Sequence, residues 1–219
     1  MATNLDLEEQ EQLAEFKHFW KKYGNLLTWL MIAVLGSFAT WNFYHYWHRQ
    51  QAQNAAIMFD TFELVASKED VDNTLRAYTD MRDRFSNSVY TIQAGLLTAQ
   101  QAYNSGKLGV SQDILNGLVS NTEDLGYQSI ARLRLANILI EKKNYDSAES
   151  ILTKPFPRSF ESMAFDRLGD LYTEKKSLIK ALEFYRKAYL SFPSDLQYRR
   201  LIEVKLNKLG VDHSSISNK

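Results

Sequence analysis

Over residues 23–48 the chain contains no Asp, Glu, Lys or Arg. The centre of this stretch, 26–39, is almost wholly apolar, and Trp41, Phe43, Tyr44 and Trp47 carry that character onward. A helix needs about 20 mostly apolar residues to cross a hydrocarbon layer about 30 Å thick, and this stretch is long enough. Inside lipid every backbone N–H and C=O must find its partner within the segment, which leaves an unbroken helix as the viable form. A transmembrane helix is therefore expected over 23–47. Trp20 at the entry and Trp41, Tyr44 and Trp47 at the exit are placed as interfacial anchors, with Trp29 inside the apolar part. Gly36, Ser37 and Ala39 make a small-residue strip that a second membrane helix can approach closely.

The flanks set an expected orientation. Lys17, His18, Lys21 and Lys22 precede the span, whereas only His45, His48 and Arg49 accompany its exit before Lys68. Positive residues beside a span stay in the cytoplasm. Residues 1–22 are thus expected as a cytoplasmic tail, mobile over 1–15, and residues 48–209 as a domain outside the cytoplasm, in a periplasm or its equivalent. A secretory signal peptide competes for the same residues, because Ser37-Phe38-Ala39 has the small-x-small form of a cleavage site. The long acidic leader (Asp6, Glu8, Glu9, Glu11, Glu15) and the aromatic continuation past Ala39 favour an uncleaved anchor.

The chain beyond the anchor is long enough for one domain with a core of its own. Lys and Arg number 26 and Asp and Glu 26, a balance without the basic field that nucleic acid requires. With no Cys there is no disulfide framework, thiolate nucleophile or Cys-based zinc site. Three Pro, nine Gly and no alternating apolar runs point to an all-α domain. No Gly-rich phosphate loop or serine elbow is found, so neither a catalytic site nor a cofactor is expected. His45 and His48 lie one helical turn apart without a carboxylate or thiolate to complete a metal set, and read as an interfacial pair.

Helical periodicity continues through the chain. Residues 50–66 lack a breaker, so the membrane helix is expected to run on. Ser67-Lys68-Glu69-Asp70 has the spacing of a cap before a helix reaching 85. Beyond it lie three helix pairs, 90–105 with 110–120, 127–142 with 145–153, and 159–174 with 178–191. Pro155 and Pro157 separate the last two pairs, since proline cannot donate the bond a helix interior needs. Ser194 and Gln197 have capping-box spacing for a final helix to 209, and 210–219 is expected as a disordered tail.

The third pair carries a repeat signature. Phe165, Leu168, Gly169, Tyr172, Ala181, Tyr185, Ala188 and Pro193 match, in order and spacing, the tetratricopeptide pattern, whose period is about 34 residues. Small residues at Gly169, Ala181 and Ala188 let two helices cross closely, and the larger side chains fill the space around them. The second pair echoes this with Leu135, Ala136, Leu139, Ala148 and Leu152, but has Arg132 at the aromatic position and Pro155 at a small one. The first pair keeps Ala99 and Leu115, with Ser111 replacing the packing alanine. The final helix reads as the cap such arrays need. The expected fold is thus a single transmembrane helix followed by a tetratricopeptide-like α-solenoid of paired antiparallel helices.

Taken whole, the chain resembles the YfgM-type ancillary subunits of the bacterial SecYEG translocon. The resemblance rests on Phe19-Trp20-Lys21-Lys22-Tyr23-Gly24 before the span, Trp41 and Trp47 at its exit, the Gln/Ala-rich stretch 51–56 and the repeat region. Tyr23 departs from that family's Asn. The resemblance implies an inner-membrane protein, seated in the lipid bilayer with its amino terminus inside. Its implied partners are the SecYEG translocon, the periplasmic chaperone PpiD and emerging secretory polypeptides. It also implies that the first helix of each pair lines a partner groove, here Ile130, Leu133, Asn137, Ile140, Glu141, Met163, Asp166, Asp170, Thr173 and Glu174; of these the apolar Ile130 and Leu133 are expected in the core instead, since open polar groups belong to the groove. A different class, a cytoplasm-facing tetratricopeptide receptor or regulatory adaptor, has the same layout with the opposite orientation.

Overall fold

The structure is a computed structural model that describes residues 7–193 and 197–210. All regular structure among the described residues is helical: α1 (Leu7–Ala66), α2 (Val71–Phe85), α3 (Val89–Asn104), α4 (Leu108–Asn121), α5 (Leu125–Glu141), α6 (Tyr145–Leu152), α7 (Arg158–Glu174), α8 (Leu178–Ser191) and α9 (Gln197–Lys208). The chain divides into two units, 1–54 and 55–219.

In the first unit α1 begins at Leu7, which corrects the expectation of a mobile tail for residues 7–15, while 1–6 lie outside the described residues. The physical reason lies in composition: Glu, Gln, Leu, Ala and Lys fill 7–22, no Gly or Pro interrupts them, and these are strong helix formers. The helix 12–66 contains a window of mean hydropathy 1.5 with none of it buried, long and apolar enough to cross a membrane. Trp20, Trp29, Trp41, Tyr44 and Trp47 are all exposed on it, and nothing lies within 4 Å of a Cβ built on Gly36. Its hydroxyls are satisfied from within. Thr28, Ser37 and Thr40 donate to the carbonyls of Gly24, Ala33 and Gly36 at 2.7–2.8 Å, which removes the cost of facing hydrocarbon with an open donor. The His45 ring rests on Trp41 at 4.6 Å between centroids; the His48 side chain lies outside the described residues.

In the second unit the helices α3 to α8 pair as the repeat pattern demands, α7 against α8 most extensively. One continuous core runs through Phe62, Met81, Leu115, Ile138, Leu171, Ile202 and Leu206, each less than 2% exposed. Each such side chain contributes about 1.5–3 kcal/mol by leaving water.

Corners between paired helices share one backbone device. Glu69, Gly106, Lys143 and Lys176 sit at φ +57°, +73°, +61° and +57°, at intervals of 37, 37 and 33 residues. Beyond the last three, the N–H groups of Lys107, Asn144 and Ser177 reach back to the carbonyls of Ala102, Leu139 and Tyr172 at 2.8–2.9 Å. This is the left-handed closure that satisfies the last carbonyls of a helix. The α2 cap is Asp70, whose carboxylate accepts from the N–H groups of Asp72 and Asn73. Ser194, the expected cap of the last helix, lies outside the described residues, as do 211–219; α9 runs from Gln197 to Lys208, and Gly210 follows at φ +82°.

The corner at Glu69 marks a pair that the repeat pattern in the sequence does not reveal. In the same register, Phe62 stands at the Gly169 position, Thr74 at the Ala181 position and Tyr78 at the Tyr185 position, and all three are buried. The last turns of α1 and the whole of α2 therefore occupy a repeat of their own.

Candidate interaction surface

The repeat signature builds the scaffold of the surface. At Gly169 an added Cβ would overlap the Tyr185 ring, so this crossing requires glycine. Leu168, Tyr172, Ala181, Tyr185 and Ala188 are buried, Phe165 is half-buried with its ring 6.5 Å from Phe184, and Pro193 is exposed just beyond α8. Where the pattern departs from consensus, another group fills the vacancy. Ser111 is buried and donates to the Ala99 carbonyl at 2.7 Å, turning a packing position into a hydrogen bond between α3 and α4. Arg132 lies 3.7 Å from the Phe156 ring and donates to the carbonyls of Ile151, Lys154 and Pro155 at 2.7–2.9 Å. Its guanidinium thereby closes the end of α6 and borrows the ring that its own position lacks.

Along the first helices of the pairs, three clefts meet. One of about 490 Å³ is lined by Asn137, Ile140, Glu141, Lys143, Asp170, Thr173, Glu174 and Tyr185. A second, about 270 Å³, lies between α3, α4 and α5 and includes Tyr103 and Arg134. A third, about 210 Å³, is lined by Ile130, Leu133, Asn137, Met163, Arg167 and Tyr198 among others. Asn137 lines all three. Six of the eight residues expected in the groove thus share one cleft, and Met163 lies in its neighbour. Ile130, expected in the core, is half-buried and borders a cleft; Leu133 is 9% exposed and does both.

Asp166 is a correction. It is fully buried rather than open to the groove, because α9 covers it: its carboxylate accepts from the Tyr198 hydroxyl at 2.7 Å and from Lys205 Nζ at 2.6 Å. Asp170, one turn on, accepts from Lys205 and the Tyr185 hydroxyl at 2.7 Å and from Arg167 at 2.8 Å. Two carboxylates and two cations neutralise each other under α9, so Asp170 borders the cleft already partnered. Burial pushes the phenols of Tyr185 and Tyr198 well above the ordinary range, with the charges of Asp170 and Asp166 adding to it. The carboxylates left open on the cleft are Glu174 and Glu141. Glu141 also hydrogen-bonds the Tyr103 hydroxyl, which raises that phenol.

On the other wall of the α6–α7 junction, Tyr172 donates to Glu149 at 2.6 Å, and Lys175 joins at 3.1 Å. This bond, with burial second, pushes Tyr172 up to about 12, and the same bond holds Glu149 below the usual carboxylate range.

Stacked helix pairs with an open inner face, on a chain that also carries a helix fit to cross a membrane, define a class: a helical-repeat scaffold for holding other proteins. The chain belongs to the tetratricopeptide repeat-like domain family, whose model matches residues 17–211. It is similar from end to end to proteins named ancillary SecYEG translocon subunit. That of Neisseria gonorrhoeae is 29% identical over 207 residues, that of Haemophilus influenzae 24% over 204 and that of Aggregatibacter actinomycetemcomitans 22% over 205. In each case 93% of this chain and 98% of the relative are covered. No solved structure matches the chain.

Proposed function

We propose that the chain is a non-catalytic interaction subunit, anchored by residues 23–47 in a bacterial inner membrane beside a SecYEG translocon. Its repeat domain lies on the periplasmic side and assists secretory polypeptides and the chaperone PpiD. The observation that carries this reading is an open inner face, continuous through Asn137, on the same chain as an exposed apolar helix. The names of the relatives support the choice of partner, and the lysines before the span support the orientation. Tethering supplies the mechanism: a groove of weak intrinsic affinity is well occupied when its anchor holds it at millimolar effective concentration near the exit, about 10²–10⁴-fold above the untethered case.

The test places a photoreactive residue at Asn137 in cells. Adducts with translocon subunits or with a secretory chain arrested during export are expected, and protease added to spheroplasts should digest the repeat domain. A protected domain would instead favour the cytoplasm-facing adaptor, and an absence of adducts would remove the inner face from the mechanism.

A further inference from the structure

The helices on the other side of the pairs hold a cleft that the inner face does not use. Between α2 and α4 it encloses about 580 Å³, more than each of the three inner clefts. Its floor is apolar, with Leu75, Ile92, Ile114 and Leu118; it follows α2 from Leu75 to Arg82, about 10 Å at the helical rise per residue, and this trench continues past the end of α2 to Asn87. On the α4 wall Gly117 opens onto free space, with nothing within 4 Å of an added Cβ.

One wall holds a polar group without a counterpart. Tyr78 is 4% exposed and lines the trench, and its hydroxyl has no hydrogen-bond partner among the described residues. The hydroxyl oxygen itself is not enclosed, so it opens onto the trench rather than into the core. Burial pushes the phenol up, against the opposing charge of Arg82, so the hydroxyl stays protonated and able to donate at neutral pH. One turn on, Arg82 also lines the trench and pairs with the adjacent Asp83, at 3.2 Å in solvent, a pairing of little strength. Asp113 faces the trench from α4.

We propose that this trench seats a short amphipathic helix of a partner polypeptide, with its apolar face on the floor and an acidic side chain accepting from Tyr78 and Arg82. Helical walls offer no open backbone edge for a strand to join, whereas two flanking helices are the setting of helix-in-groove recognition. The α2 wall runs about two helical turns, the span of anchors at i, i+3 or i+4, and i+7. Charge sets the direction, with an acid toward Arg82 and a base toward Asp113.

The test uses the full chain in lipid nanodiscs and fluorescence anisotropy of a labelled helical peptide of about 14 residues, with leucines on one face and a flanking glutamate. A peptide of the same composition with scattered leucines, and empty nanodiscs, set the baseline. The facial peptide should bind, Gly117→Leu should weaken it about tenfold by filling the trench, and Tyr78→Phe should weaken it about threefold, an effect absent with a peptide that carries leucine in place of the glutamate. Circular dichroism checks that Gly117→Leu folds; if it does not, Tyr78→Phe decides alone. Unchanged binding in the folded variants overturns the proposal. So does displacement of the peptide by dodecanoate, which would make the trench an amphiphile site, or self-association abolished by Gly117→Leu, which would make it a contact between copies.

Discussion

At the scale of single residues, the two kinds of glycine in the repeats differ sharply. Gly169 sits under the Tyr185 ring, whereas Gly117 faces open space. Replacing Gly169 by Ala gains up to about 1 kcal/mol of helix propensity but meets overpacking of about 1–3 kcal/mol, so the net is destabilising by up to about 2 kcal/mol. Gly117→Ala, with only the first term, should be neutral or stabilising; urea midpoints of the two variants measure the difference. Gly169 was legible in the sequence because its spacing from Tyr172, Ala181 and Tyr185 fits the repeat. Arg132 and Ser111 read as defects there, and only coordinates reveal that a guanidinium against Phe156 and a hydroxyl on the Ala99 carbonyl fill those positions.

At the scale of elements, α9 depends on a mixed contact. Ile202 and Leu206 are fully buried, and between them Lys205 reaches Asp166 and Asp170. Removing Lys205 as Lys205→Met leaves the buried Asp166 with Tyr198 and a more distant Arg167 at 3.7 Å. Breaking one side of such a buried pair costs about 3–5 kcal/mol, while the Lys187–Glu183 pair, at 2.7 Å, lies in solvent, where screening leaves it little effect. Hydrogen exchange should therefore show α9 amides opening in Lys205→Met but not in Lys187→Met; equal protection in both would mean that the apolar contacts alone hold α9. The helices themselves were largely readable from periodicity, and α8 lies where expected, at 178–191. The groove reading failed at Asp166 because its partners, Tyr198 and Lys205, come 32 and 39 residues later, on an element whose docking no local pattern encodes. The first repeat escaped for a related reason: Phe62 and Thr74 are buried yet match no consensus letter.

At the scale of the whole molecule, one hydrogen bond shapes both limbs of the pH profile. Glu149 is lowered from 4.5 by Tyr172 and then Lys175, so its contribution is complete above its unfolded pKa and is lost as pH falls through the folded value. Tyr172 is raised from 10 to about 12, so its contribution is complete below its unfolded pKa and fades as pH rises from 10 toward 12. Tyr185 and Tyr198, shifted the same way, steepen the alkaline limb. Stability measured by denaturant should accordingly form a plateau at neutral pH, and Tyr172→Phe should soften both limbs at once. Softening of only one would separate the two groups and break the assignment.

The corners at Gly106, Lys143 and Lys176 are closed by main-chain amides, with no side chain taking part. Tips built this way have no packing duty, so the residues displayed there are free to drift in charge and size while the array beneath stays the same. A lineage can thus retune what this edge of the protein greets without relearning how to fold.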